Sequence, residues 1–249
     1  MASEAMGIVA AARLKTQEVF DELRYGEGES WMFNNRALHM LDPTLSPYSA
    51  ITIIAKDVIS LLASPSMTHS SDICCGVRGM ITSTARDFKF PLSMISTAEQ
   101  IYMTAISAGW GKEDDCVITR LYLPGRPKLV FQRAKAIDDT RSTDLSVDDI
   151  KDLMDGVHLA AIAEAMSFSE HLGIDTNLMY EIVINAAGPS TIFLKTFPDM
   201  QKGSWKLRSV AGVEETRDRL MHFVEKAYEL RYLLFLSSAA LQEFHRQLR

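Results

Sequence analysis

The 249-residue chain contains two similar stretches far apart in sequence. Glu4-Ala5-Met6 recurs 160 positions later as Glu164-Ala165-Met166. Self-similarity over so long a period indicates that a whole structural module occurs twice. Other residues match at the same spacing: Thr16 with Thr176, Gly28 with Gly188, Ser30 with Ser190, Phe33 with Phe193, and Met40 with Met200.

The spacing between the two copies shortens further along the chain. Lys56-Asp57 meets Arg217-Asp218 at a spacing of 161, and residues 92–100 meet 234–242 at 142. The difference is close to the length of segment 64–83, which has no apolar periodicity and is rich in Ser, Thr and Gly. We therefore expect 64–83 to be an insertion in the first copy. Chance alignment of helical sequence is the alternative, and three ordered blocks of matches argue against it.

The apolar residues recur mostly at helical spacing, most clearly from Tyr48 to Ala63. Thr16 is expected to cap a helix in the first copy, and Ser146, followed by acidic residues, is expected to begin a long helix in the second. Residues 114–123 could form a helix or a strand. The pattern therefore predicts an all-α fold.

Proline and charge mark a boundary between the copies. Pro124-Gly125-Arg126-Pro127 interrupts the helical pattern, and a charged stretch follows. We expect a first helical domain over 1–123, a linker over 124–145 and a second helical domain over 146–249.

Composition argues against several classes of function. A net charge of −6 disfavours nucleic-acid binding, and no run of 18 apolar residues predicts a membrane span. The first residues do not resemble a secretory signal, and the three cysteines, Cys74, Cys75 and Cys116, are an odd and sparse set. We expect a cytoplasmic protein with no metal site.

Several stretches together resemble one enzyme family. In the first copy they are EAMGIVAAARL, GESWMFNNRALHML and FPLSMISTAEQIYMTAISAGWGKEDD; in the second they are DGVHLAAIAEAM and AAGPSTIF. Both copies resemble the C-terminal helical domain of the β-hydroxyacid dehydrogenases, which include the 3-hydroxyisobutyrate, L-threonate and 6-phosphogluconate dehydrogenases. The first copy is most similar to the threonate branch. The resemblance implies two 6-phosphogluconate dehydrogenase C-terminal-like domains.

The resemblance also implies a chemistry. Members of this family bind NAD or NADP on an N-terminal Rossmann domain. A lysine ten residues before the His of GVH, with an Asn three or four residues after it, acts as general acid and base during hydride transfer.

This chain departs from that pattern at the lysine. Asp148 lies ten residues before His158, and Lys151 or Asp152 occupies the Asn position. Lys151 is an alternative proton donor, whereas His158 is expected to be a core or interhelix hydrogen-bonding residue. The sequence also contains no GxGxxG fingerprint for dinucleotide binding. We therefore expect no catalytic residue here and no tight binding of NAD or NADP to this chain alone.

The resemblance implies a few binding residues. Lys56 would approach the cofactor, and Ser30, Trp31, Asn34 and Asn35 would line the substrate cleft; the alternatives are a surface lysine and a helix cap with a core aromatic.

Two interpretations of function follow. The chain is a truncated or inactive form of an NAD(P)-dependent β-hydroxyacid dehydrogenase, or it is a non-enzymatic dimerisation module derived from one. Expected partners are a second copy, or the other helical domain of the same chain, and a separate Rossmann-domain protein.

Overall fold

A computed structural model describes residues 1–26, 28–58, 80–136, 144–186 and 188–249, without the side chains at 56–58 and 80. These residues contain thirteen α-helices and no β-strand, which confirms the all-α prediction. Among them no helix is long and apolar enough to cross a membrane. The helices are α1 (Ala2–Ala11), α2 (Thr16–Leu23), α3 (Trp31–Leu41), α4 (Ile51–Val58), α5 (Met80–Asp87), α6 (Ser93–Ser107), α7 (Thr119–Tyr122), α8 (Leu129–Ala134), α9 (Val147–His171), α10 (Thr176–Ile184), α11 (Thr191–Lys202), α12 (Val213–Glu229) and α13 (Leu236–Gln247).

The contacts divide the chain into two compact units. One unit joins Met1–Ser46 to Cys116–Arg249, and the other is Pro47–Asp115. The first unit therefore combines the beginning of the first expected domain with all of the second. The boundaries at 123 and 146, inferred from the proline-containing break and the charged stretch that follows it, stay a prediction.

The long helix α9 begins where the sequence predicts. The backbone N–H of Asp149 donates to Ser146 Oγ at 3.2 Å, and the Asp149 carboxylate accepts from the Ser146 N–H at 2.7 Å, which is a capping box. Lys226, in the last turn of α12, donates to both Asp149 carboxylate oxygens at 2.9 Å. Gly156 lets α12 approach closely, since a Cβ there would lie 2.8 Å from Leu220 Cδ2. Helices α9 and α12 are thus joined at an ion pair and at a close contact.

Helices α1 and α9 end in the same way, 160 positions apart. A left-handed residue follows each helix: Arg13 with φ 63° and Gly173 with φ 74°. The next N–H turns back to a carbonyl in the last turn, from Leu14 to Val9 at 3.1 Å and from Ile174 to Ser169 at 3.0 Å. The two stretches therefore share a local conformation, although the duplication itself stays a prediction.

Helices α3 and α11 have matching N-caps. Ser30 Oγ accepts from the Phe33 N–H, and Ser190 Oγ accepts from the Phe193 N–H, each at 3.2 Å. Ser30 and Ser190 also face each other in an isolated antiparallel bridge. The two caps are thus direct neighbours in the structure.

Reciprocal backbone hydrogen bonds hold these two caps together. The Trp31 N–H donates to the Pro189 carbonyl at 3.1 Å, and the Thr191 N–H donates to the Glu29 carbonyl at 3.1 Å. The exchange is symmetric at the 160-residue spacing, since Glu29 corresponds to Pro189 and Trp31 to Thr191. The beginnings of α3 and α11 are therefore paired about a local two-fold relation.

A fully buried carboxylate joins the first helix to the last. Glu4 is 0% exposed, and its oxygens accept from the N–H groups of Phe235, Leu236 and Ser237 at 2.9–3.1 Å. The Ser237 hydroxyl and the Tyr122 hydroxyl also donate to it. Because these N–H groups belong to the first turn of α13, Glu4 acts as the N-cap of a helix more than 230 residues away.

Gly7, one turn after Glu4, is required by the same cluster. A Cβ on Gly7 would lie 2.1 Å from the hydroxyl oxygen of Tyr232. That hydroxyl donates to the Glu4 carbonyl at 3.0 Å, and the Tyr232 ring stacks on Tyr122 with centroids 5.9 Å apart. Burial raises the pKa of Tyr232 well above its ordinary value, so the phenol remains a neutral donor.

The unit Pro47–Asp115 is held by the start of α4. The Ile51 N–H donates to the Glu113 carbonyl at 3.0 Å, and the Thr52 N–H donates to the Gly111 carbonyl at 2.9 Å. These bonds satisfy two of the free donors that every helix N-terminus presents. The loop after α6 therefore caps α4.

Two sequence-based expectations differ from the structure. Thr16 begins α2 without capping it, because its hydroxyl donates instead to the Val130 carbonyl at 2.7 Å. The predicted linker 124–145 contains α8, whose Val130 is 3% exposed. Proline and charge thus marked the break after residue 123 but not the short helix that packs beyond it.

Most of the predicted insertion 64–83 lies outside the described residues, and its last four residues begin α5.

Replacing Glu4 with Ala should lower the free energy of unfolding by on the order of 2–4 kcal/mol, because the first turn of α13 then loses its buried acceptor. Urea denaturation measures the change. The matched control is Glu18→Ala, where a carboxylate 71% exposed pairs with Lys15 and should matter by less than about 0.5 kcal/mol. Equal effects at the two positions would contradict the capping role of Glu4.

Replacing Gly7 with Ala should also destabilise the fold, by on the order of 1–3 kcal/mol, because the new methyl overlaps the Tyr232 hydroxyl. In a Tyr232→Phe background the overlap disappears, so the same Ala substitution should cost at least about 1 kcal/mol less. A double-mutant cycle by urea denaturation gives this difference. Strict additivity of the two substitutions would show that the contact is not the reason for glycine.

Candidate functional site

The first turn of α9 carries the position that the resemblance assigns to a catalytic lysine. Asp148 stands there with its side chain 84% exposed, and Lys151 Nζ donates to its carboxylate at 3.0 Å. Lys151 Nζ also donates to Glu22 on α2 at 3.1 Å. The hydrogen bond to Asp148, helped by Glu22 and opposed by partial burial, raises the pKa of Lys151. Lys151 is therefore held as a protonated cation between two carboxylates.

Asp152, the other residue near the expected Asn position, also has an ion-pair partner. Its carboxylate lies 2.9 Å from the Arg219 guanidinium on α12. Burial raises the pKa of Asp152, and the positive charge of Arg219 opposes this shift only in part. Asp152 thus tethers α9 to α12.

The predicted cleft residues Ser30, Trp31 and Asn35 are engaged in the start of α3. Ser30 is buried as the N-cap, as described above. Asn35 Nδ2 donates to the Trp31 carbonyl at 2.7 Å, so its amide turns back on its own helix. The hydrogen bonds of Ser30 and Asn35 fit the alternative interpretation, a helix cap. The indole of Trp31 is half-buried beside this cap.

Asn34 belongs to a small polar network centred on Glu29. Asn34 Nδ2 donates to Glu29 Oε1 at 3.0 Å and to the Arg24 carbonyl at 3.2 Å, and Thr191 Oγ1 donates to Glu29 Oε2 at 3.1 Å. The buried Oδ1 of Asn34 has no hydrogen-bond donor within the described part of the chain. Glu29 therefore links the cap of α3 to the first residue of α11 through side chains as well as backbone.

The turn between α2 and α3 lies against the first turns of α9. A Cβ on Gly28 would lie 3.2 Å from Met154 Cβ, and one on Gly26 would lie 3.9 Å from Lys151 Cε. The turn that precedes the expected cleft residues therefore lies beside Lys151 and Met154 of α9. The substrate cleft that the resemblance implies at these residues stays a prediction.

Two other expectations concern Lys56 and metals. The backbone of Lys56 lies in α4, but its side chain is outside the described residues, and its role stays a prediction. Cys74 and Cys75 also fall outside them. Among the residues that are described, no cluster of three His, Cys, Asp or Glu side chains could hold a metal ion.

Glu22 and Glu29 were not singled out from the sequence. Their partners Lys151 and Thr191 lie 129 and 162 positions away, so no local pattern identifies them. Glu29 does precede the matched Ser30, and this position next to a repeated cap is the one signal available.

His158 lies further along α9 and is not placed for proton transfer. Its Nδ1 is buried and has no hydrogen-bond partner in the described residues. Burial, and to a smaller extent the positive charge of the Met1 α-amino group, lowers the pKa of His158 from 6.5 to about 4. The ring is therefore neutral at pH 7, as a core residue would be.

The shift of His158 predicts a dependence of stability on pH. The unfolded chain takes up a proton near pH 6.5 and the folded chain only near about pH 4, so stability is complete above pH 6.5 and falls between these values. Urea denaturation at a series of pH values should show this loss. The variant His158→Met should flatten the curve in that window, whereas His171→Gln, at an exposed position of the same helix, should leave it in place. An unchanged slope in His158→Met would argue against a buried neutral ring.

Comparison with known proteins finds relatives over half of the chain. L-threonate dehydrogenase of Escherichia coli (strain K12) is 32% identical over 127 residues, which are 49% of this chain and 35% of that protein. The enzyme of the same name from Cupriavidus necator is 33% identical over 129 residues, or 50% of this chain and 37% of the relative. That of Haemophilus influenzae is 29% identical over 120 residues.

The chain spans about a third of the length of these curated relatives, between 33% and 37%. No family profile matches it, and no solved structure does. Half of the chain is thus similar to dehydrogenases of a hydroxy acid, and this similarity supports a hydroxyacid dehydrogenase-like family.

Proposed function

We propose that this chain is the helical, substrate-side part of a β-hydroxyacid dehydrogenase-like protein of the cytoplasm that uses NAD or NADP. The observation that carries the proposal is the 32% identity to L-threonate dehydrogenase over 127 residues. The substrate class that follows is a small hydroxy acid such as L-threonate. The grouping of the α2–α3 turn with the start of α9 supports a substrate cleft at this place.

We infer that the chain does not catalyse hydride transfer alone. A general acid and base works best with a pKa near the operating pH. Asp148 cannot supply the cation of a lysine, and the ion pairs of Lys151 raise its pKa further from neutrality. The sequence also has no Gly-rich turn to present backbone N–H groups to a pyrophosphate. A Rossmann domain would have to supply the cofactor, and Lys56 would then approach it.

The alternative is a dimerisation or interaction module without catalysis. It is favoured by the paired caps of α3 and α11, where Trp31 and Thr191 exchange backbone hydrogen bonds with Pro189 and Glu29. In this arrangement Ser30, which the resemblance assigns to the substrate cleft, is instead buried where the two copies contact each other. In that case the two helical copies pair for the sake of assembly.

The two interpretations differ in whether the chain could become an active dehydrogenase when a cofactor-binding domain is added. The chain alone should neither bind NAD or NADP in calorimetry nor reduce them with L-threonate. Saturable cofactor binding by the chain alone at micromolar concentration would contradict the inference that it needs a Rossmann domain.

The sharper test joins the cofactor-binding domain of an L-threonate dehydrogenase to this chain. If the helical part is substrate-side, then Asp148→Lys with Asp152→Asn should give measurable reduction of NAD or NADP, because the lysine and amide return to the start of α9. The same fusion without these substitutions is the matched control and should stay inactive. If both fusions bind cofactor and neither turns over, the module interpretation is the better one.

A further inference from the structure

Helix α10 is apolar but poorly covered. It contains no buried residue, and Ile174, just before it and at the position of the 4% exposed Leu14 in the first copy, is 40% exposed. Contiguous exposed apolar surface is a common feature of sites that contact another molecule. The helix that corresponds to α10 in the first copy shows what covers such a surface.

That corresponding helix is α2, and it is well buried. Val19, Phe20 and Leu23 are 4%, 0% and 0% exposed. Their counterparts 160 positions later, Met179, Tyr180 and Val183, are all half-buried. The same face of the helix is therefore buried in one copy and only partly covered in the other, where the Tyr180 ring packs on Phe193 and Phe197.

Helix α8 covers α2 through three kinds of contact. Val130 packs with 3% exposure, and its carbonyl accepts from Thr16 Oγ1 at 2.7 Å. Three residues later, the Arg133 guanidinium donates to the carbonyls of Arg13 and Leu14, in the left-handed turn that ends α1. An arginine is suited to this place because the carbonyl end of a helix attracts positive charge.

Helix α10 and the turn before it have the same groups that α8 contacts in the first copy. Thr176 stands where Thr16 stands, is half-buried, and makes no side-chain hydrogen bond within the described part of the chain. The turn Gly173–Ile174 repeats the geometry of Arg13–Leu14, as shown by the matching hydrogen bonds to Val9 and Ser169. No described side chain donates to the carbonyls of this turn. The threonine, the turn and the apolar face thus form a second copy of the α8 docking surface.

We propose that this surface binds a short amphipathic helix of a partner polypeptide, with an apolar residue whose carbonyl meets Thr176 and an arginine three residues later. A second molecule of this chain does not fit, because its own α8 is already buried against α2, with Arg133 9% exposed. The proposal rests on the comparison of α2 with α10 and does not depend on the dehydrogenase relation.

The probe is a labelled peptide of residues 124–136, which contains α8. Titrating the full chain into it and following fluorescence anisotropy should give saturable binding of one peptide per chain. The peptide variant Arg133→Ala should bind at least about tenfold more weakly, because it loses the charge-assisted bonds to the turn.

Variants of the chain show where the peptide binds. Met179→Asp should weaken binding at least about tenfold and Thr176→Val several-fold, since both change the docking surface. Leu178→Glu is the matched control, because its counterpart Glu18 on α2 is 71% exposed beside α8. Binding unchanged by Leu178→Glu and lost in Met179→Asp supports the proposal; circular dichroism confirms that each variant is folded.

Three outcomes would overturn the proposal. The first is an absence of saturable binding. The second is equal binding to the wild-type chain and to Met179→Asp, which would place the peptide elsewhere, for example on α2 in exchange for α8. The third is a dimer in sedimentation that Met179→Asp dissociates, which would make a second copy of this chain the occupant.

Discussion

The buried carboxylate of Glu4 determines how the two ends of this chain meet. Five donors surround its oxygens, three of them N–H groups that α13 cannot satisfy internally. A charge that is 0% exposed is tolerated only because these donors replace its water. Since α1 and α13 lie at opposite ends of the sequence, the capped helix cannot form in isolation. Helix α1 must approach closely enough for Glu4 to reach the N-terminus of α13. This close approach explains why the position beside Tyr232 is the glycine Gly7.

Local features of the fold could be predicted from the sequence because they depend on neighbours within four residues. The capping box of Ser146 and Asp149 is of this kind, and so are the all-α class and the end of α7 before Pro124. Thr16 shows the limit of such reasoning. A threonine at the start of a helix resembles a cap, but the Val130 carbonyl, 114 positions away, takes its hydroxyl. The Thr16 hydroxyl therefore bonds to a residue that is distant in sequence and does not cap its own helix.

The candidate site shows the same limit for charged residues. The resemblance to the dehydrogenase family pointed to Asp148 and Lys151, because their spacing from His158 can be counted in the sequence. It could not identify Glu22, which approaches Lys151 only when α2 packs on α9. This second carboxylate helps to raise the pKa of Lys151. The aspartate at position 148 and the raised pKa of Lys151 are thus two separate features, and only the first is visible in the sequence.

Helices α2 and α10 show that equivalent positions in two similar segments need not share an environment. Both helices follow a left-handed turn with the same hydrogen bonds, and both begin with threonine. Their burial differs because α8 and the start of α9 pack on α2, and no described helix takes the place of α8 on α10. An apolar residue such as Met179 is therefore ambiguous in sequence: its position on the helix says which face it occupies, but not whether that face is covered. Burial depends on the neighbouring element: α8 packs on α2, and no described helix packs in this way on α10.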